Sequence, residues 1–306
     1  MLPPHFPQRS PRPGRASSEF RQAIDRIFRS LALAAALLLG GCSGADLLNG
    51  LASGQGVAVT RDIPYAAPLA LDLYEPAAPE PEAPVLVFFH GGGWETGSPA
   101  DYRFLGTVLA RRGLRVVIPA YRLWPEAGYP AFLEDGARAV RWAHDRWPGA
   151  RLVLMGHSAG AYIAAMLALD GPWLGAVGMR PGQDLAAVIG LSGPYDFLPL
   201  RSPVLQAIFG PEPGWPATQP IAHVAPGAPP MLLATGLADT TVRPANTARL
   251  AAALRAAGNR VEERYYPQIG HVMTIGAFAG LLRPAAPVRA DVLGFLGLEP
   301  PPGGGR

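Results

Sequence analysis

Alternation between short apolar segments and longer amphipathic segments constrains the fold of this chain more than any other feature of its sequence. The apolar segments are rich in β-branched and aromatic residues, show no polar alternation and are bounded by glycine or proline. These properties are typical of strands that are buried on both faces of a parallel sheet. The predicted strands are 85–90, 115–121, 151–156, 186–193, 230–236 and 261–267, and the predicted helices are 99–113, 129–148, 159–170 and 243–258.

This order predicts an α/β domain at 57–298 with a mostly parallel, doubly wound sheet. Two further strand-like segments, 57–66 and 69–76, are separated by a turn, so we expect them to be added antiparallel at one edge of the sheet. Residues 194–229 are rich in proline and have no clear periodicity, which favours a lid segment. Residues 299–306 are predicted to be a disordered tail.

The N-terminal segment has the form of an export signal. Arginines precede "LALAAALLLGG", an apolar run that is too short to cross a bilayer but suits a signal peptide. The only cysteine, Cys42, follows this run, and "LGGC" resembles a bacterial lipobox, in which the cysteine is lipidated. We expect a lipoprotein-type signal at 1–41, a lipid anchor on Cys42 and a tether at 42–56. The protein would then be exported and held on a membrane, facing the periplasm or the cell surface. The alternatives are a plain signal peptide with an incidental cysteine and a buried N-terminal helix.

The excess of basic residues belongs to this N-terminal segment. The chain has 26 basic and 23 acidic residues, and residues 1–30 hold six of the basic and two of the acidic ones. The remaining 20 basic and 21 acidic residues nearly balance, so the charge gives no reason to expect a nucleic-acid partner. With one cysteine and no H-E-x-x-H spacing, the sequence also predicts no metal site and no cofactor.

The segment "GHSAG" at 156–160 lies between a predicted strand and a predicted helix and fits the pattern G-x-S-x-G. In a nucleophile elbow this pattern places the serine on a sharp strand-to-helix turn, where the glycines avoid clashes with neighbouring backbone. Ser158 is therefore the candidate nucleophile. A serine hydroxyl needs a base and an acid that orients the base, and in this architecture the acid and then the base follow the serine along the chain.

The candidate base is His271, because it follows the last predicted strand, from which a loop can return to Ser158. Asp239 follows the strand at 230–236 and is the candidate acid, which would hold the tautomer of His271 and stabilise its imidazolium. Asp196 also follows a predicted strand and remains an alternative acid.

The run "HGGG" at 90–93 follows another predicted strand. Acyl transfer builds negative charge on the carbonyl oxygen, and each preorganised N–H donor stabilises that charge by roughly 3–4 kcal/mol. Glycines let backbone amides approach the oxyanion without obstruction by Cβ atoms. The predicted oxyanion donors are the amides of Gly91, Gly92, Gly93 and Ala159, with Gly92 the first candidate among the glycines. We expect His90 to brace this loop, and Trp94 and Tyr195 are candidate substrate contacts.

With these residues in place, the chain resembles an α/β-hydrolase of the hormone-sensitive-lipase-like esterase group. The resemblance covers about residues 58–298 and rests on "LDLYEP", "HGGGWETGS", "PAYRLWPE", "GHSAGAY", "LSGPYDF" and "GLADTTVRP". These segments are also similar to the branch shared by kynurenine formamidases and feruloyl-type carboxylesterases. The resemblance implies the same triad and oxyanion hole, without a metal. The large N-terminal helical cap of many such esterases has no counterpart before His90, which favours an open pocket.

The expected function is that of a serine carboxylesterase, which hydrolyses short-chain acyl or small aryl esters through an acyl-enzyme intermediate. Its expected partner is a small-molecule ester. An arylformamidase with the same machinery is an alternative, although the predicted export disfavours a cytosolic activity of this kind. The alternative from another class is a non-catalytic binding module, which is disfavoured because every catalytic position is filled.

Overall fold

The computed structural model describes residues 48–50, 54–279, 282 and 286–298. The predicted signal at 1–41, Cys42 and the predicted tail at 299–306 lie outside the described residues, so export and lipidation stay predictions. Within the described ranges, no helix is long and apolar enough to span a membrane.

Eight strands form one sheet in the described part of the chain. They are β1 (Val57–Ala66), β2 (Leu69–Pro76), β3 (Val85–Phe89), β4 (Arg115–Pro119), β5 (Leu152–His157), β6 (Ala187–Leu191), β7 (Met231–Gly236) and β8 (Val261–Tyr266). Their order in the sheet is β1-β2-β4-β3-β5-β6-β7-β8. β2 pairs antiparallel with β1 and with β4, and all other pairs are parallel. The predicted fold class, a mostly parallel sheet with antiparallel N-terminal edge strands, is confirmed.

The helices connect these strands and cover the sheet. They are α1 (Arg103–Ala110), α2 (Ala131–Arg146), α3 (Ala159–Leu169), α4 (Pro172–Gly175), α5 (Pro181–Asp184), α6 (Pro203–Phe209), α7 (Ala245–Ala256), α8 (His271–Gly276) and α9 (Val288–Phe295). Short 3₁₀ helices lie at Pro99–Tyr102, Glu212–Thr218 and Pro220–His223. The four predicted helices correspond to α1, α2, α3 and α7.

Alternating side chains of the central strands pack into two cores, one on each face of the sheet. In β3, Val85, Val87 and Phe89 belong to one core, and Leu86 and Phe88 belong to the other. The first core includes side chains of α2, α3 and α7, and the second includes side chains of α1 and α9. This arrangement brings the carboxyl ends of β3, β5 and β7 to the same edge of the sheet, which is where ligands bind in folds of this kind.

The prediction of a tether at 42–56 is wrong for Leu48 and Asn49, because these two residues pack against the domain. Leu48 is buried in the core beside α1. The Asn49 amide group donates to the carbonyl of Ala100 at 2.8 Å, and its Oδ1 accepts the amide of Phe104 at 2.9 Å. Asn49 thus satisfies a backbone donor in the first turn of α1, a partnership that depends on tertiary packing and that composition alone does not indicate.

The proline-rich segment 194–229 is fastened to the domain along most of its length. The carbonyl of Thr218 accepts the Tyr162 hydroxyl at 2.7 Å, and the amide of Tyr195 donates to Oδ1 of Asn246 at 2.9 Å. Further along, the amide of Ala228 donates to Asn259 at 3.0 Å. Only the first part of the segment, residues 194–205, borders the cavity described below.

Candidate active site

Ser158 lies on a strained turn between β5 and α3. Its φ of 55° and ψ of −121° place a non-glycine residue in a rarely populated region of backbone conformation. The turn is possible because a Cβ on Gly156 would lie 2.1 Å from the carbonyl oxygen of Gly160, and a Cβ on Gly160 would lie 2.0 Å from that of Phe89. The local geometry is that of the nucleophile elbow predicted from the sequence.

His271 and Asp239 are joined by a short hydrogen bond. The Nδ1 atom of His271 lies 2.7 Å from Oδ2 of the buried Asp239, whose Oδ1 accepts the backbone amides of Thr241 and Val242. Since Asp239 accepts the proton on Nδ1, the Nε2 atom of His271 keeps a lone pair that can accept another proton. His271 is the first residue of α8, whereas the sequence predicts a loop at this position.

The third link of the predicted triad is open in this structure. Within the described residues, no hydrogen bond joins the Ser158 hydroxyl to His271, although His157, next to Ser158, packs its ring 4.8 Å from that of His271. Such bonds are often long in unliganded enzymes and shorten when substrate binds. The structure therefore brings the three residues to one site without closing the proton path.

The alternative acid, Asp196, has a different partner. Its Oδ2 lies 2.5 Å from Nε of Arg249, and the Arg249 guanidinium also donates to the Asp196 carbonyl at 2.6 Å. Asp239, and not Asp196, is the carboxylate bonded to His271.

The glycine loop presents unusual backbone at the same edge of the sheet. Gly92 has a φ of 125°, and Gly93 and Trp94 both have a φ of 65°. A Cβ on Gly92 would lie 2.0 Å from the carbonyl oxygen of Thr96, so this position requires glycine. The tight turn leaves the amides of Gly92 and Gly93 without a backbone acceptor in the described part of the chain.

Gly91 requires a correction, because its amide is already used. Its N–H donates to the Tyr102 hydroxyl at 3.1 Å and is not available to an oxyanion. His90 braces the loop, as the sequence predicts: its Nδ1 donates to the carbonyl of Gly91 at 2.8 Å, and its ring stacks 4.2 Å from that of Tyr121. The remaining candidate donors are Gly92, Gly93 and Ala159.

A cavity of about 1010 Å³ opens beside Ser158 and the glycine loop. Trp94 lines it and packs edge-to-face on Phe209 with ring centroids 4.9 Å apart, and its contact with substrate stays a prediction. The prediction that Tyr195 contacts the substrate is wrong. Its side chain is fully buried in the core and lies against the backbone of Gly190 and Gly193.

A profile of the BD-FAE family matches residues 71–254, which is more than half of the chain. The chain belongs to the BD-FAE family. The matched range contains the glycine loop, Ser158 and Asp239 and ends before His271.

Relatives of this BD-FAE protein include an acetyl-hydrolase and a kynurenine formamidase. It is 32% identical to an acetyl-hydrolase from Streptomyces hygroscopicus over 203 residues, which cover 61% of this chain and 67% of the relative. It is 31% identical to a kynurenine formamidase from Danio rerio over 144 residues, which cover 46% of this chain and 48% of the relative. The chain spans about half or less of the length of the first curated relatives it matches.

The solved structures of esterase 2 from Thermogutta terrifontis have the same fold. The form phosphoramylated by tabun aligns with a TM-score of 0.64 at 26% identity, covering 81% of this chain and 98% of the esterase. A butyrate-bound form aligns with a TM-score of 0.62 at 27% identity, covering 82% of this chain and 98% of the esterase. The predicted family resemblance is confirmed: this BD-FAE protein is an α/β-hydrolase with esterase relatives.

His157 is a supporting residue of the BD-FAE site that sequence reasoning missed. Its Nε2 donates to the carbonyl of His271 at 3.1 Å, and the hydroxyl of Thr274 donates to the same carbonyl at 2.7 Å. Both contacts hold the first residue of α8 in place beside Ser158. No sequence pattern indicates the pair, because 114 residues separate His157 from His271.

Two buried histidines of this BD-FAE domain should make its stability depend on pH. Burial lowers the pKa of His90 to about 4, and burial, with a smaller contribution from His271, lowers that of His157 to about 3. Unfolded, both would titrate near pH 6.5, so as the pH falls from 6.5 towards 4 the unfolded chain binds protons that the folded chain does not. Stability is therefore complete above pH 6.5 and is lost on acidification.

At pH 5 we expect each of these histidines to have lowered the free energy of unfolding by about 2 kcal/mol relative to pH 8. Urea unfolding at the two pH values measures the loss. His157→Gln should remove about half of the histidine contribution, whereas His144→Gln, at a half-exposed position on α2, should leave it intact. Equal pH dependence in wild type and His157→Gln would contradict a neutral, buried His157.

No group of three or more histidine, cysteine, aspartate or glutamate side chains is arranged to hold a metal ion among the described residues.

Proposed function

We propose that the chain is a serine carboxylesterase that hydrolyses short-chain acyl or small aryl esters. The observation that carries the proposal is the 2.7 Å contact between His271 and Asp239 at the same sheet edge as Ser158 on its strained elbow. The acetyl-hydrolase relative and the butyrate-bound esterase support short acyl groups.

In the first half of the reaction, the Ser158 hydroxyl attacks the ester carbonyl and its proton passes to Nε2 of His271. Asp239 keeps Nδ1 protonated and stabilises the imidazolium that forms. The tetrahedral intermediate collapses, the alcohol leaves with the proton from His271, and the acyl group stays on Ser158 as an ester. Substrate binding has to close the gap between Ser158 and His271 before this transfer.

In the second half, water replaces the alcohol. His271 takes a proton from the water as it attacks the acyl-enzyme and returns that proton to Ser158 as the carboxylic acid is released. In both halves the amides of Gly92, Gly93 and Ala159 are the proposed donors to the oxyanion. Each contributes differential stabilisation of the transition state, because the negative charge exists only there.

The proposal is tested with p-nitrophenyl acetate, butyrate and octanoate. We expect the purified protein to hydrolyse the two shorter esters and Ser158→Ala to lower kcat by at least about 10⁴-fold, since the variant lacks the nucleophile. Wild type should also be labelled by paraoxon in a 1:1 ratio, as befits a relative of an esterase that paraoxon phosphorylates, and the variant should stay unlabelled. A Ser158→Ala variant that keeps wild-type activity would rule the mechanism out.

A second candidate substrate is an aryl formamide, which the formamidase relative favours. The same serine would attack the formyl carbon, and His271 would protonate the departing aryl amine. Formanilide and phenyl formate, which differ only in the leaving atom, discriminate the two activities. A higher kcat/KM for formanilide would make the protein a formamidase. A non-catalytic binding module would hydrolyse neither compound and would resist paraoxon.

A further inference from the structure

The cavity beside Ser158 is lined by both apolar and cationic side chains. The apolar ones include Trp94, Phe197 and Leu205. The cationic ones are Arg201, from the segment before α6, and Arg243 and Arg249, from the turn before α7 and from α7 itself. The volume of about 1010 Å³ lies at the upper end of the range for small-molecule sites and leaves room beyond a short acyl ester.

The charges of this cavity do not cancel. Asp196 is the carboxylate among the lining residues, and it is bonded to Arg249. Within the part of the chain that the structure describes, no carboxylate lies within ion-pairing distance of Arg201 or Arg243. The first residues of α7, Ala245 and Asn246, also border the cavity, and the amino end of a helix adds positive potential there.

Two cations that face one cavity without a protein partner favour an anion from the ligand. A guanidinium presents N–H donors in a planar fork that matches the two oxygens of a carboxylate. Outside residues 1–30 the chain has 20 basic and 21 acidic residues, so an overall excess of basic residues does not account for these arginines.

We infer that the substrate is an ester that carries a carboxylate, which Arg201 and Arg243 bind while the ester carbonyl lies at Ser158. This inference rests on the proposed esterase function and narrows its substrate class. Hydrolysis is unchanged: water is added across the ester bond, and the carboxylate of the substrate takes no part in bond breaking.

The experiment compares matched pairs of esters with the full chain. In one pair the charge lies on the acyl part: the p-nitrophenyl monoester of glutaric acid is set against p-nitrophenyl pentanoate. In the other it lies on the alcohol part: 4-acetoxybenzoate is set against its methyl ester. We expect kcat/KM to favour the anionic member of at least one pair, which identifies the part that carries the carboxylate.

Substitutions then separate recognition from catalysis. Arg201→Gln and Arg243→Gln should each lower the ratio of anionic to neutral kcat/KM by about three- to tenfold, mainly through KM, because these arginines are exposed and their ion pairs are partly screened. Raising the salt concentration should lower the wild-type ratio in the same direction. Arg151→Gln, at an exposed position away from the cavity, is the matched control and should leave the ratio unchanged.

The possible failures are distinguishable. Turnover of the neutral esters without preference for either anionic ester, or a preference that survives both substitutions, would overturn the carboxylate inference and leave the esterase intact. Absence of turnover on all four esters by a folded protein would overturn the esterase proposal itself.

Discussion

Replacement of Asp239 by asparagine is expected to lower kcat for p-nitrophenyl butyrate by about 10⁴-fold, with a much smaller change in KM. Asp239 is buried, and its Oδ2 accepts the proton on Nδ1 of His271. An asparagine amide can present an N–H group to Nδ1 instead. The proton of the neutral imidazole then moves to Nε2, which is the atom that has to accept the proton from Ser158.

The matched control is Asp196→Asn, which changes the other carboxylate that the sequence offers for this role. Asp196 is bonded to Arg249, so its loss should lower kcat by less than about tenfold. Circular dichroism and urea unfolding of both variants separate a lost proton path from a lost fold. If Asp196→Asn were the inactive variant and Asp239→Asn remained active, the assignment of the acid would be wrong.

The residues whose roles the sequence predicts well are those defined by local backbone geometry. The strands at 57–66 and 69–76 are found with these bounds because their ends are marked by turn residues. The elbow at Ser158 follows from glycines two positions away on either side, which is a local steric requirement. The sequence favours Asp239 over Asp196 as the acid but leaves both candidates open. The hydrogen bond between Asp239 and His271 is the structural observation that favours Asp239.

The roles that the sequence does not reveal depend on contacts between distant segments. Gly91 belongs to the same glycine run as Gly92 and Gly93, but its amide donates a hydrogen bond to the Tyr102 hydroxyl. Tyr195 follows a strand as an active-site residue would, yet its ring turns into the core. Two arginines that line the cavity, Arg201 and Arg243, come from segments that meet only in the folded protein. No local sequence pattern predicts such contacts between distant segments.

The close approach of α3 to β3 gives the prediction with the largest effect on folding. A Cβ on Gly160 would lie 2.0 Å from the carbonyl oxygen of Phe89 and 2.5 Å from that of His90, and backbone atoms cannot move aside as a flexible side chain could. Gly160→Ala must therefore separate the elbow from the strand that leads into the glycine loop. We expect the free energy of unfolding to fall by about 3 kcal/mol or more and esterase activity to be lost.

Gly294→Ala is the matched control, since Gly294 is also a helical glycine and a Cβ there would meet nothing within 4 Å. At that position alanine should raise the free energy of unfolding by about 0.5–1 kcal/mol, because it lowers the backbone entropy of the unfolded chain. Urea unfolding and soluble yield of the two variants measure both effects. If the free energy of unfolding falls in Gly160→Ala and rises in Gly294→Ala, the loss in Gly160→Ala is due to the steric contact. Equal stability of Gly160→Ala and wild type would show that α3 and β3 do not approach so closely. In that case the donors on the glycine loop and Ala159 would not converge on one oxyanion, and the proposed site would lose its geometric basis.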